Sequence, residues 1–113
     1  MSKDVIIIGA GGHAKVIADI IIKCNDNLIG FLDDNIDIQN KIIYNNKKVI
    51  GKIEDSLNYK DKLFIIGIGN NKVRKEISKQ YKLNWYTAIH PNTTIAKDVK
   101  IGKGTVIMPG VII

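Results

Sequence analysis

Two stretches of the chain share one design: four apolar residues in a row, a glycine turn, then a helix with its apolar positions on one face. Val5 to Ile8 ends at Gly9, and an uninterrupted run of that length predicts a strand covered on both faces, as in a parallel sheet. Beyond the glycines, Val16, Ile17, Ile20, Ile21 and Cys24 form one stripe, with Lys15, Asp19 and Lys23 opposite at spacings of four. That spacing predicts an amphipathic helix. Asn25 to Asn27 supply a turn, and Leu28 to Leu32 reads as a second strand closed by Asp33 and Asp34. Leu63 to Ile66 repeats the opening, running into Gly67-Ile68-Gly69-Asn70-Asn71 and a helix that aligns Val73, Ile77 and Tyr81. Trp85 to Ile89 predicts a fourth strand, from which His90-Pro91 leads out. The polar, asparagine-rich stretch 35–59 reads as a variable excursion, with a short extended piece at Lys47 to Gly51 and a weak helical turn near Glu54 to Leu57.

Strands alternating with helices predict the α/β class: a small Rossmann-like parallel sheet with flanking helices and right-handed crossovers. Ligands of such sheets sit beyond the carboxyl ends of the strands. Both glycine turns and the aspartate pair fall at that edge. From Ile95 the periodicity changes to six, IAKDVK, IGKGTV, IMPGVI, and the chain stops on Ile113 at the start of a fourth unit. An aliphatic residue at Ile95, Ile101, Ile107 and Ile113 with a small residue at Ala96 and Gly102 is the pattern of a left-handed parallel β-helix, three hexapeptides closing one coil. A single coil does not bury its own apolar layer. The expectation is therefore a domain over 1–90 followed, over 91–113, by the first coil of a repeat domain trimmed near its boundary.

Composition narrows the function classes. An apolar content of 45% supports a real core in a chain of 113 residues, and the single cysteine, Cys24, excludes an internal disulfide framework and fits a reducing compartment. Neither a signal peptide nor a membrane span is read from the amino-terminal pattern, so a soluble, cytoplasmic protein is expected. The net charge of +6 raises the question of nucleic acid. Residues 1–71 hold nine cations and nine anions, whereas 72–113 hold eight and two, and all the cations but Arg74 are lysines. Without arginine clusters or interleaved aromatics, this excess reads as a solvated lysine face rather than a nucleic-acid surface.

Gly9-Ala10-Gly11-Gly12-His13-Ala14 fits the loose nucleotide fingerprint GxGxxA in the required place between strand and helix. Glycines allow a tight turn and close approach of backbone to ligand, and the N–H groups that open the helix favour an anion such as a diphosphate. A bare strand-to-helix turn is the competing reading. Asp33 and Asp34 follow Gly9 by 24 and 25 residues, near the spacing at which a carboxylate receives ribose hydroxyls or a base edge; as a pair they read equally as solvated turn formers. Asn70 and Asn71 offer carboxamides to a ligand's polar edge or act as a helix N-cap. Arg74 pairs with a carboxylate or phosphate or lies on the surface. His13 and His90 are the two side chains with ordinary pKa values near neutrality, and neither has a visible partner constellation for acid–base catalysis. His13 reads as a ligand contact, His90 as part of a loop. No catalytic triad, metal-ligand spacing or cysteine nucleophile is evident.

Taken together, GAGGHAKV, FLDD, IGIGNNKVRKEI and IHPNTTI followed by hexapeptides make the whole chain resemble the amino-terminal part of the sialic acid O-acetyltransferase and bacterial UDP-amino-sugar N-acetyltransferase family. The resemblance implies a Rossmann-like domain that holds a UDP-sugar and a trimeric left-handed β-helix that holds acetyl-CoA, with a histidine of the β-helix as general base. Carried over by match, Gly11, Gly12 and His13 meet the sugar nucleotide at the first turn. Asp33 and Asp34 meet its uridine side, and Gly69, with Asn70 beside it, lines the same pocket. The catalytic histidine has no counterpart in these residues and is expected beyond Ile113, with most of the acetyl-CoA site. By this resemblance the fragment binds a UDP-sugar or related substrate weakly, without turning it over, and the full-length protein is a homotrimer. Two readings from other classes stand beside it: a nicotinamide-dependent oxidoreductase, suggested by the same fingerprint and carboxylates, and a non-enzymatic regulatory or assembly module.

Overall fold

The computed structural model describes residues 2–88 and the backbone of Ile89, Val106 and Ile107. Its strands are β1 (Asp4–Ile8), β2 (Asn27–Leu32), β3 (Ile42–Tyr44), β4 (Lys47–Gly51), β5 (Leu63–Ile66), β6 (Asn84–Trp85), β7 (Ala88–Ile89) and β8 (Val106–Ile107), with helices α1 (Gly12–Lys23) and α2 (Asn71–Gln80). Six strands form one sheet in the order β3-β4-β2-β1-β5-β6, parallel throughout except for the antiparallel edge pair β3–β4. The run Val5–Ile8 takes the centre because every one of its side chains is apolar and both faces of the sheet are covered there.

Alternation along the strands divides the core in two. Val5, Ile7, Phe31 and Ile65 point to the face packed by Ala14, Ile17, Ala18 and Ile21 of α1, while Ile6, Ile8, Leu32 and Phe64 point to the other, where Ile77 of α2 joins them. Each fully buried isoleucine or phenylalanine contributes about 1.5–3 kcal/mol in transfer free energy. Val16 departs from the expected stripe: it is 44% exposed, and Ala14 and Ala18 occupy the buried face instead.

The stretch expected to be a variable excursion joins the sheet through β3 and β4, and β4 is the extended piece expected at Lys47 to Gly51. A hairpin turn at Asn45 and Asn46, with φ of 49° and 63°, is the twisted two-residue type that asparagine tolerates. It folds β3 onto β4, which extends the sheet beyond β2. The weak helical turn is a 3₁₀ helix over Ile53–Tyr59.

The single strand expected over Trp85–Ile89 is broken in two. At the break Tyr86, 4% exposed, turns into the α1 face and donates its hydroxyl to Asp26 Oδ2 at 2.5 Å. Burial, then this bond, pushes the Tyr86 phenol pKa far above its ordinary value of 10.0. The folded state therefore keeps this proton where the unfolded chain has lost it, and stability is complete below about pH 10 and falls as pH rises above it, by at most about 1.4 kcal/mol per pH unit from this group. Tyr86→Phe should flatten that alkaline limb in urea unfolding measured between pH 8 and 11; an unchanged slope would remove Tyr86 as its source.

Beyond the break, β7 pairs in parallel with β8, Ala88 with Val106 and Ile89 with Ile107. The remainder of the expected hexapeptide coil, with His90 and Pro91, lies outside the described residues. No described helix is long and apolar enough to cross a membrane.

Candidate functional site

From β1 the chain crosses to β2 on one side and, after β4, to β5 on the other. Such a reversal opens a crevice at the carboxyl ends of the two diverging strands. Here that edge carries the loops that follow β1 and β5, the two glycine turns.

Gly9 ends β1 with a φ of +103°, and its N–H donates to Leu32 O at 2.6 Å. A Cβ there would stand 2.8 Å from Ile68 Cγ1 and 3.0 Å from Gly67 O. The two turns thus back directly onto each other. Gly67 is equally confined: its N–H donates to Ile8 O at 2.7 Å, and a Cβ would lie 2.9 Å from both Cα and Cβ of Ala14 in the first turn of α1. Gly9 and Gly67 are therefore required by the fold.

Gly11, Gly12 and Gly69 are different in kind. Nothing stands within 4 Å of the position a Cβ would take at any of the three, and none has a positive φ. Neither packing nor backbone conformation requires glycine at these places. Gly11 is also the N-cap of α1 and supplies no side-chain hydrogen bond to it. By contrast α2 is capped, since Asn70 Oδ1 accepts from the N–H groups of Lys72 at 2.9 Å and Val73 at 3.1 Å. Of the two readings of Asn70, the structure places its oxygen on the helix. Two helices thus open near the crevice, and only α1 lacks a capping side chain. His13 is half-buried in the first turn of α1, and Arg74 is half-buried in the first turn of α2.

The aspartates are engaged on backbone. Asp33 Oδ2 accepts from Ala10 N–H at 3.0 Å and Oδ1 from Asn35 N–H at 2.9 Å, while its own N–H donates to Gly51 O at 3.0 Å. Asp34 Oδ1 accepts from Ile53 N–H at 2.9 Å. Between them the two residues join the loops after β1, β2 and β4. Gln39, which the sequence reading passed over, donates from Nε2 to Asp33 O at 2.7 Å and to Asn35 O at 3.0 Å, closing the β2 loop from outside. No local pattern marks Gln39, because its partners are main-chain oxygens. All seven expected site residues lie at the carboxyl edge of the sheet. A cavity of about 420 Å³ lined by Lys3, Leu63, Asn84, Trp85, Tyr86 and Thr87 is at the opposite edge, by the amino-terminal ends of β1 and β5.

The model of the PglD N-terminal domain family matches residues 4–81, a span that includes both glycine turns and the aspartate pair. The chain belongs to this family. It is 38% identical to UDP-N-acetylbacillosamine N-acetyltransferase of Bacillus subtilis (strain 168), over 94% of this chain and 51% of that protein. In fold it matches the acetyltransferase domain of PglB from Neisseria gonorrhoeae FA1090, solved with acetyl coenzyme A, at a TM-score of 0.84 and 29% identity, covering 99% of this chain and 56% of that one. A histidine mutant of perosamine N-acetyltransferase from Caulobacter crescentus, solved with CoA and GDP-perosamine, matches at 0.84 and 27% identity over 97% of this chain and 53% of that one. The chain spans about half the length of each of these relatives. Two of these relatives are N-acetyltransferases named for their sugar substrates and the third is an acetyltransferase domain, and this chain corresponds to their amino-terminal, Rossmann-like part.

Proposed function

We propose that the chain is the sugar-nucleotide-binding part of an acetyl-CoA-dependent sugar N- or O-acetyltransferase of glycan biosynthesis, taking a UDP-amino sugar or a related activated sugar. The observation that carries this reading is the set of glycines with open space where a side chain would be, Gly11 and Gly12 at the uncapped start of α1 and Gly69 on the facing turn. A diphosphate laid over Gly11, Gly12 and His13 receives the free N–H groups and the positive end of the α1 dipole. Asp33 and Asp34 stand on the uridine side with their carboxylates engaged on backbone N–H groups, and Gly69 with Asn70 lines the opposite wall. The solved relatives with bound GDP-perosamine and acetyl coenzyme A support the substrate class.

The domain division follows: residues 1–90 bind the nucleotide, and 91–113 begin a hexapeptide β-helix. Supporting it, β7 and β8 pair residues eighteen positions apart, the length of three hexapeptides. Acetyl-CoA is held mainly by that repeat, the whole protein is a cytoplasmic homotrimer, and acetyl transfer is a property of the whole protein.

Titration calorimetry with UDP and with a UDP-amino sugar tests the binding half. Saturable heat with both is expected. A folded chain that gives no heat with either would overturn the reading.

A further inference from the structure

The first glycine turn is held from outside by one carboxylate. Ala10 is 8% exposed, so its N–H needs a protein acceptor, and Asp33 Oδ2 is that acceptor at 3.0 Å. The same carboxylate fixes its own position by taking Asn35 N–H on Oδ1, and its residue is pinned on both sides of the peptide by Gly51 O and Gln39 Nε2. A charged acceptor bound by two backbone donors is a stiff strut. A carboxylate is also a poor neighbour for a diphosphate of the same sign, so its contribution to binding such a ligand has to pass through the groups it orients.

We propose that Asp33 is a positioning residue for the diphosphate turn: it acts through Ala10 to hold Gly11 and Gly12 with their N–H groups toward the ligand, rather than by contact with the nucleoside. This rests on the sugar-nucleotide reading above. Asp34, whose carboxylate accepts from the Ile53 N–H on the far loop, has among the described residues no such path to the glycine turn. Asparagine at position 33 brings one acceptor oxygen to two N–H donors, so whichever way its amide faces, one donor meets an NH₂ group. The turn then loses either its tie to Ala10 or the brace that keeps that tie in place.

The test is an NMR titration of the wild-type chain and Asp33→Asn with uridine, UMP and UDP, together with amide hydrogen exchange of the ligand-free proteins. The expected result is a loss that grows with phosphate count: uridine affinity within twofold of wild type, UDP affinity reduced at least tenfold, and faster exchange at Ala10, Gly11 and Gly12 with Ile6 to Ile8 unchanged. Asp33→Ser, which also lacks the carboxylate, should follow the same order. Equal weakening of all three ligands would overturn the proposal in favour of direct nucleoside contact. So would unchanged UDP affinity, or unchanged exchange at Ala10 to Gly12. If the wild-type chain binds none of the three, the sugar-nucleotide reading fails, while the exchange comparison still decides whether Asp33 holds the turn.

Discussion

Gly67→Val should leave little folded protein, and Gly67→Ala should lower the stability of the domain by about 2–3 kcal/mol, the upper range for overpacking a tight core. The new methyl would stand 2.8 Å from Ile7 Cγ2 and 2.9 Å from Ala14 Cα and Cβ. None of these can yield cheaply. Ile7 is fully buried in the central strand, and the second contact is helix backbone, so relief requires α1 to move away from the sheet. That motion would pull Ala14, Ile17 and Ile21 off the core they seal. For a domain of this size the alanine variant should melt about 10–20 °C below wild type. Urea midpoints at constant slope would check it. A change under 0.5 kcal/mol would mean that α1 rides over β5 with more room than the structure gives it.

The strands β1 and β5 and the helix α1 were legible because their signals are strong and local. Val5–Ile8 and Leu63–Ile66 contain no polar residue and each ends at glycine, which leaves a parallel core strand as the economical reading. The extended piece at Lys47–Gly51 was legible and is β4, but its place in the sheet was hidden. Lys47–Gly51 is a half-buried strand near the edge with only Val49 fully buried, and its hairpin depends on Asn45 and Asn46 adopting positive φ, which an asparagine-rich composition obscures. The kink at Tyr86 was hidden for another reason. Nothing within Trp85–Ile89 says that its tyrosine will be drawn inward by Asp26, a residue sixty positions away.

That the expected site residues share one edge of the sheet was legible; how those residues are held there was not. Gly9, Gly11, Gly12, Gly67 and Gly69 are one letter in the sequence, yet two are fixed by packing and three face open space. Only the neighbour across the turn tells them apart, and that neighbour, Ala14 or Ile68, belongs to a different segment. The aspartates likewise read as possible ligand groups until Ala10, Asn35 and Ile53 appeared as their partners. Family resemblance rests on several motifs in order and points to one edge of the sheet; it does not separate residues that would touch ligand from those that hold the turns together.

That division gives the second large effect, with the opposite signature to Gly67. Gly11→Val should abolish measurable UDP binding, a loss beyond tenfold, while changing stability by no more than about 1 kcal/mol, the scale of losing a favourable N-cap residue. Backbone at Gly11 is extended, φ −86° and ψ −164°, a region β-branched residues adopt readily. Apart from the flanking residues, no atom stands within 4 Å of the new Cβ, so the isopropyl group enters open space at the α1 N-terminus. That space is the proposed diphosphate path, and filling it removes both the close approach and the N–H contacts at once. Calorimetry with UDP, paired with a melting curve on the same sample, reads the two effects separately. A Gly11→Val protein that melts with wild type and still binds UDP at wild-type affinity would place the nucleotide elsewhere. A protein that loses binding only because it has unfolded would place Gly11 with Gly9 and Gly67, among the glycines the fold requires.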